Sequence, residues 1–296
     1  MRGTNTVSAK FGIDSYTYHR FFGVIRDGEK NPEIRWTVDD LVSEVSTHQP
    51  DVVCYQVMFL PDRESADWTL ARNALVKGPP VILAWGGDLG LDGGRASSRF
   101  DDLLGWAGEA ADLGGSFLRI VVGGPRTQRE VSWSNRLVAL TPLLRTLVER
   151  AGDIGIRIAI ETHADLTPQQ LCELLDAVND DRLDVVLDVA NLTRVDADIV
   201  SAAALFRGRV PMVHLRDVIL TDPNSFDGET RPCLPPGSGE LDLTGFIAAL
   251  GGIEGYEGLL AVELVQLHER YAGREHDAVS DGLAWLRHLN DQGVSV

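Results

Sequence analysis

Cysteine is scarce in this 296-residue chain: Cys54, Cys172 and Cys233 are odd in number, far apart and without CxxC spacing. That pattern supports neither a disulfide framework nor a thiolate zinc site, and the three read as reduced thiols of a cytoplasmic protein. Long apolar runs are also missing; nothing approaches the ~18 consecutive apolar residues needed to cross a bilayer. The opening "MRGTNTVSAKFGIDSY" lacks the apolar core of a signal peptide, so a soluble protein without a membrane partner is expected. Positive charge is deficient as well. With 27 basic against 44 acidic residues the formal net charge is -17, a field that repels phosphate backbones and makes nucleic acid an unexpected partner.

What is present is ordinary globular composition, 44% hydrophobic and 24% charged, in a length that suits one large single-core domain. Residues 1–9 are polar and expected to fray, leaving 10–296 as the folded unit. Along it, short β-type runs alternate with longer helical patterns. The runs are "KFGIDSYT", "DVVCYQVM", "PVILAWGG", "SFLRIVVGG", "IRIAIETH", "LDVVLDVAN", "VPMVHLRDV" and "GLLAVELV". Each is followed by a helical pattern, with Thr37 as an N-cap, Pro168 at a first helical position and Gly155 as a helix stop. Eight successive strand–helix pairs predict a (β/α)8 TIM barrel in a single α/β domain; an open doubly wound sheet is the competitor that the count disfavours.

In such a barrel the active site lies at the C-terminal ends of the strands. There the apolar runs are broken by Glu161 in the fifth strand, Asp188 in the sixth, His214 in the seventh and Glu263 in the eighth. Singly, each reads as a structural ion pair or a satisfied core histidine. Together, three carboxylates in one interior repel one another unless a cation neutralises them. The oxygen-rich donor set with one imidazole suits Mn²⁺ or Mg²⁺, with Co²⁺, Fe²⁺ and Zn²⁺ as alternatives. Residues two apart share a strand face, which places His163 beside Glu161 and Arg216 beside His214 at the mouth. Tyr18 and His19 at the end of the first strand, and Trp85 at the end of the third, are candidate ligand contacts. So is Arg231, in the long Pro- and Gly-rich loop after the seventh strand.

In "AIETH", "VVLDVAN", "MVHLRDV", "LPPGSGELDLTGFIAAL" and "YEGLLAVEL" the chain resembles the xylose isomerase-like TIM barrel superfamily, in particular its sugar phosphate isomerase/epimerase branch, over essentially its whole length. The resemblance implies a metal quartet of Glu161, Asp188, His214 and Glu263, and substrate-contacting roles for His163, Arg216 and pocket-lining aromatics. Some members place a substrate-contacting His three residues after the metal Asp; here that position is Asn191, which sets the chain apart from a simple ketose 3-epimerase. The expected activity is isomerisation or epimerisation of a small sugar, with Glu161 and Glu263 as the catalytic pair, one removing a proton and the other returning it. The alternative is β-elimination from a 3-oxo-sugar or inosose, of the dehydratase or C-glycoside-cleaving type. Dimers and tetramers are common in the resembled family, so a homo-oligomer is expected. An apurinic-site endonuclease would need more histidines than the seven present, and a non-catalytic sugar-binding barrel would tolerate loss of the quartet.

Overall fold

A computed structural model describes residues 8–87, 89–220 and 232–292. Eight parallel strands close into a barrel, with helices on its outside. In chain order the barrel strands are β1 (Lys10–Asp14), β2 (Val52–Gln56), β3 (Val81–Trp85), β4 (Phe117–Ile120), β5 (Arg157–Glu161), β6 (Leu183–Asp188), β7 (Met212–Leu215) and β10 (Leu259–Val262). Between the last two, β8 (Asp217–Val218) and β9 (Cys233–Leu234) form a separate antiparallel pair. The ring order β1-β10-β7-β6-β5-β4-β3-β2 makes every strand a hydrogen-bonded neighbour of the strands before and after it in the barrel.

Local chemistry explains where the helices start and stop. Thr37 caps helix Val38–Thr47 in a reciprocal box: the Asp40 amide donates to Thr37 Oγ1 at 3.2 Å and the Thr37 amide to Asp40 Oδ2 at 2.8 Å. Thr167 and Gln170 do the same for helix Pro168–Val178, whose proline fills the first position, where its missing N–H costs nothing. Helix Trp133–Asp153 ends just before Gly155, which takes the left-handed φ of 77° that stops a helix cleanly.

Side chains alternate across each strand, so the barrel has an outer core under the helices and an inner core of its own. The inner set includes Val52, Ile82, Phe117, Ala159, Val186, Met212 and Leu259. Gly12 belongs to the same crowded interior, where a Cβ would lie 2.3 Å from the Val52 carbonyl oxygen. Two residues further along the same inward rows stand Asp14, Arg119, Glu161, Asp188 and His214, with Glu263 two beyond Ala261 and Gln56 two beyond Cys54. The interior is therefore apolar below and charged at the C-terminal mouth.

The expected strand "LDVVLDVAN" is shorter than its composition suggests. Strand β6 ends at Asp188, whose side chain caps the short helix Val189–Thr193, and Asn191 lies in that helix. Likewise "VPMVHLRDV" is split: β7 stops at Leu215, and Asp217–Val218 turns away to pair with Cys233–Leu234. Among the described residues no helix is long and apolar enough to cross a membrane.

Candidate metal centre

Glu161 and Asp188 are the last residues of β5 and β6, His214 lies within β7, and Glu263 directly follows β10. All four are buried, and one ligand atom from each falls within 4.8 Å of the others. His214 Nδ1 is 3.1 Å from Glu161 Oε1 and 3.5 Å from Glu263 Oε2. Its other nitrogen faces Asp14 Oδ2 at 3.1 Å. Asp14 is itself fixed by the Tyr16 amide at 2.8 Å and by Gln56 Nε2 at 3.0 Å. A carboxylate behind a ligating imidazole is the arrangement that orients such a ligand.

Two guanidiniums thread this cluster. Arg119 on β4 forms an ion pair with Glu161, and Arg216 reaches Asp188 at 2.6 Å and Glu263 at 3.3 Å. Four buried carboxylates, those of Asp14, Glu161, Asp188 and Glu263, thus face two arginines. The volume keeps two formal negative charges when His214 is neutral.

In the absence of a cation, protons make up that deficit. Burial opposes charging His214, but Glu263, Glu161 and Asp14 outweigh it and hold its pKa well above the ordinary histidine value. Burial pushes the Glu263 carboxyl up to about 8; His214 and Arg216 oppose the rise, while Asp14 and Glu161 add to it. Burial pushes Glu161 upward too, yet Arg119 and His214 more than offset it and keep this carboxyl well below the usual range. One imidazolium and one neutral carboxyl therefore stand where a divalent cation would exchange for them. Glu161 Oε2 and His214 Nε2 are buried beside opposite charges without a hydrogen bond. These donors, three carboxylates and one imidazole, fit a divalent ion of the Mn²⁺, Mg²⁺ or Zn²⁺ kind. Two other donor groups fit less well. Cys54, near Asp14 and His214, has its thiol pushed up by burial. In the cluster of Glu44, His48 and His276, both nitrogens of His48 already face Tyr18, Glu44 and Ser280.

Through Glu161 and Glu263 the cluster borders a cavity of about 370 Å³. His163, Arg216 and Asn191 line it, as their sequence positions suggested. His163 Nδ1 donates to the Gly123 carbonyl at 3.1 Å, which orients the ring and leaves Nε2 as its other polar atom. Asn191 Nδ2 donates to Asp188 Oδ2 at 2.9 Å. Arg216 pairs with Asp188 and Glu263, not with its neighbour Asp217, whose carboxylate instead accepts the amides of Val218, Gly237 and Leu241.

Three expected contacts lie elsewhere. Trp85 is fully buried on the outward row of β3, since Ile82 and Ala84 occupy the inward one. Its indole donates to Asp102 at 2.8 Å beneath Arg99. Tyr18 and His19 miss the cavity because the chain turns after Asp14 into the 3₁₀ segment Ser15–Phe22. At three residues per turn, Tyr16 and His19 stack at 5.0 Å, Tyr16 takes the mouth, and His19 binds Glu29 at 2.9 Å. Tyr18 packs against Trp36 with its hydroxyl 3.2 Å from His48. Arg231 lies outside the described residues.

Asp14 and Arg119 were overlooked, although "FGIDSY" and "FLRIVVGG" carry the same signal as the quartet, one charge breaking an apolar strand. The rim arginines Arg126, Arg129 and Arg194 offer no such signal, because they follow strand ends in polar segments where a solvated arginine is unremarked.

Comparison with known proteins adds three findings. A family model described as a xylose isomerase-like TIM barrel matches residues 78–289. A 3-dehydroshikimate dehydratase of Pseudomonas putida KT2440 is 29% identical over 154 residues, 50% of this chain; the match spans 24% of that longer relative. Among solved structures, the IolI protein with a bound zinc atom superposes with a TM-score of 0.70 at 17% identity, covering 97% of this chain and 100% of that one. D-Allulose 3-epimerase from Methylomonas sp., in complex with D-allulose, gives 0.64 at 16% identity, covering 95% and 97%. At these identities the two structures establish the fold and no more.

Proposed function

The chain belongs to the xylose isomerase-like TIM barrel family, and from that premise we propose that it is a divalent-metal-dependent enzyme that isomerises or epimerises a ketose or related sugar derivative. The observation that carries this reading is the convergence of three buried carboxylates and one imidazole at the barrel mouth, in a volume short of two positive charges. Glu161, Asp188, His214 and Glu263 would hold the ion, with Mn²⁺ the first choice. The zinc atom bound by the IolI protein, which shares the fold, supports a metal-dependent reading. When bound, the ion supplies Lewis-acid stabilisation of negative charge developing on a substrate carbonyl oxygen.

The rest falls to the protein. Glu161, kept ionised beside Arg119, removes the proton from the carbon next to the carbonyl. Glu263 stands three strands away around the ring, reaches the ligand from another side, and returns a proton. His163, Arg216 and Asn191 hold substrate hydroxyls, with the His163 ring oriented by its hydrogen bond to the Gly123 carbonyl. A second reading is favoured by the similarity to a 3-dehydroshikimate dehydratase: the same proton removal by Glu161, followed by loss of a group from the β-carbon.

Incubation of the Mn²⁺-loaded protein with ketoses and 3-oxo ring acids in D₂O separates the two. Solvent deuterium retained in an isomer or epimer supports the first; loss of water supports the second. Absence of any bound divalent metal, or unchanged turnover in Glu161→Gln, would sink both.

A further inference from the structure

The charge around the cavity runs against the charge of the chain. The protein carries 44 acidic and 27 basic residues, yet the described cavity lining includes Arg26, Arg119, Arg126, Arg129, Arg194 and Arg216 and only two acidic residues, Glu161 and Glu263. Those two are already engaged by Arg119 and Arg216. The other four arginines, Arg26, Arg126, Arg129 and Arg194, line the cavity as well.

Three of them fall in one sector. Arg126 and Arg129 lie three apart, hence on one face, in the helix Pro125–Glu130 that follows β4. Arg194 ends the short helix after β6, and His163 follows β5 between them; the three strands are neighbours in the ring. Arg194 is not a solvated side chain. Asp188, Asn191 and Arg194 recur at intervals of three, and Arg194 Nη1 donates to Asn191 Oδ1 at 3.1 Å while Asn191 Nδ2 donates to Asp188 Oδ2 at 2.9 Å. The relay ties the rim guanidinium to a carboxylate of the quartet, and this explains why an asparagine, with one donor and one acceptor end, serves at this position. Arg126, by contrast, makes an exposed pair with Glu130 among the described residues, which a ligand anion can replace readily.

We infer that this sector is an anion subsite, formed by Arg126, Arg129 and Arg194, and that the substrate carries a carboxylate or phosphate placed there while its carbonyl end lies over the quartet. The inference rests on the reaction proposed above and specifies its substrate as an anionic, polyhydroxylated small molecule. Planar guanidiniums recognise either oxyanion in a forked geometry.

The test uses the metal-free protein, so that it stands apart from the metal-dependent reaction. Calorimetric titrations with inorganic phosphate, shikimate and the neutral methyl ester of shikimate should show saturable binding of at least one anion, at least about tenfold tighter than the ester. Tighter phosphate assigns a phosphorylated substrate; tighter shikimate assigns a carboxylate. Affinity should fall with added salt in the wild-type protein, and by about tenfold or more in Arg126→Gln/Arg194→Gln. No saturable anion binding, an ester that binds equally well, or unchanged affinity in a folded double variant would overturn the subsite. A protein that binds these anions but no divalent metal would overturn the reaction and leave the subsite standing.

Discussion

The lower and upper halves of the barrel interior are built on the same strands with the same alternation, yet they contrast completely. Below, Val52, Ile82, Phe117, Ala159, Val186, Met212 and Leu259 fill the interior with hydrocarbon. One inward step higher, Asp14, Gln56, Arg119, Glu161, Asp188 and His214 replace them with charge and hydrogen bonds. Apolar burial stabilises the fold by about 25 cal/mol per Å², whereas buried ion pairs return little net stability and break expensively. The lower layer holds the barrel together; the upper layer adds little net stability and carries the proposed chemistry.

Substitutions should separate these roles. The largest expected effect is on turnover: Glu161→Gln should lower kcat by about 10²–10⁴-fold, the range supplied by a positioned general base, measured on whichever substrate the D₂O experiment identifies. Phe117→Ala, in the lower layer, should cost about 3–5 kcal/mol in denaturant unfolding while the folded fraction keeps its metal affinity. If Phe117→Ala abolished metal binding and Glu161→Gln left turnover intact, the division between the layers would be wrong.

The upper layer should also show itself through pH. Glu263 ordinarily titrates at 4.5 and is raised to about 8 in the fold, so the folded metal-free protein holds an extra proton between those values. Its contribution to stability is complete below about 4.5 and is lost as pH rises through about 8. The raised pKa of His214 acts in the same direction above the ordinary histidine value of 6.5. Metal-free protein should therefore show a falling denaturant midpoint from pH 6 to about 8.5, and saturating Mn²⁺ should abolish or reverse the trend. A midpoint that rises over this range without metal would contradict the charge assignment.

The smallest effect is expected just outside this boundary. Trp85→Phe loses a partly buried hydrogen bond to Asp102 and should cost about 1 kcal/mol of stability, with kcat/KM within about twofold of wild type because the ring faces away from the cavity.

Much of this layering was legible in the amino-acid order. Alternation with a charge breaking each apolar run brought Glu161, Asp188, His214 and Glu263 onto one interior, and the count of strand–helix pairs matched the closed barrel. The same alternation, applied to "VILAW", would have turned Trp85 outward, since Ile82 and Ala84 claim the inward row. Tyr18 and His19 were misplaced for a different reason. The first strand was read on through "KFGIDSYT", whereas after Asp14 the backbone tightens to three residues per turn and hands the mouth to Tyr16. The rim arginines are a tertiary feature: Arg126 and Arg129 come from the connection after β4 and Arg194 from the one after β6, and only the fold makes them neighbours of one cavity.

At the mouth, one divalent cation should take the place of two protons, a stoichiometry read by titrating metal-free protein with Mn²⁺ at neutral pH in buffers of different ionisation enthalpy. The account predicts one ion bound per chain with release approaching two protons, and loss of both signals in Asp188→Ala. No saturable binding, or binding that persists unchanged in Asp188→Ala, would contradict it.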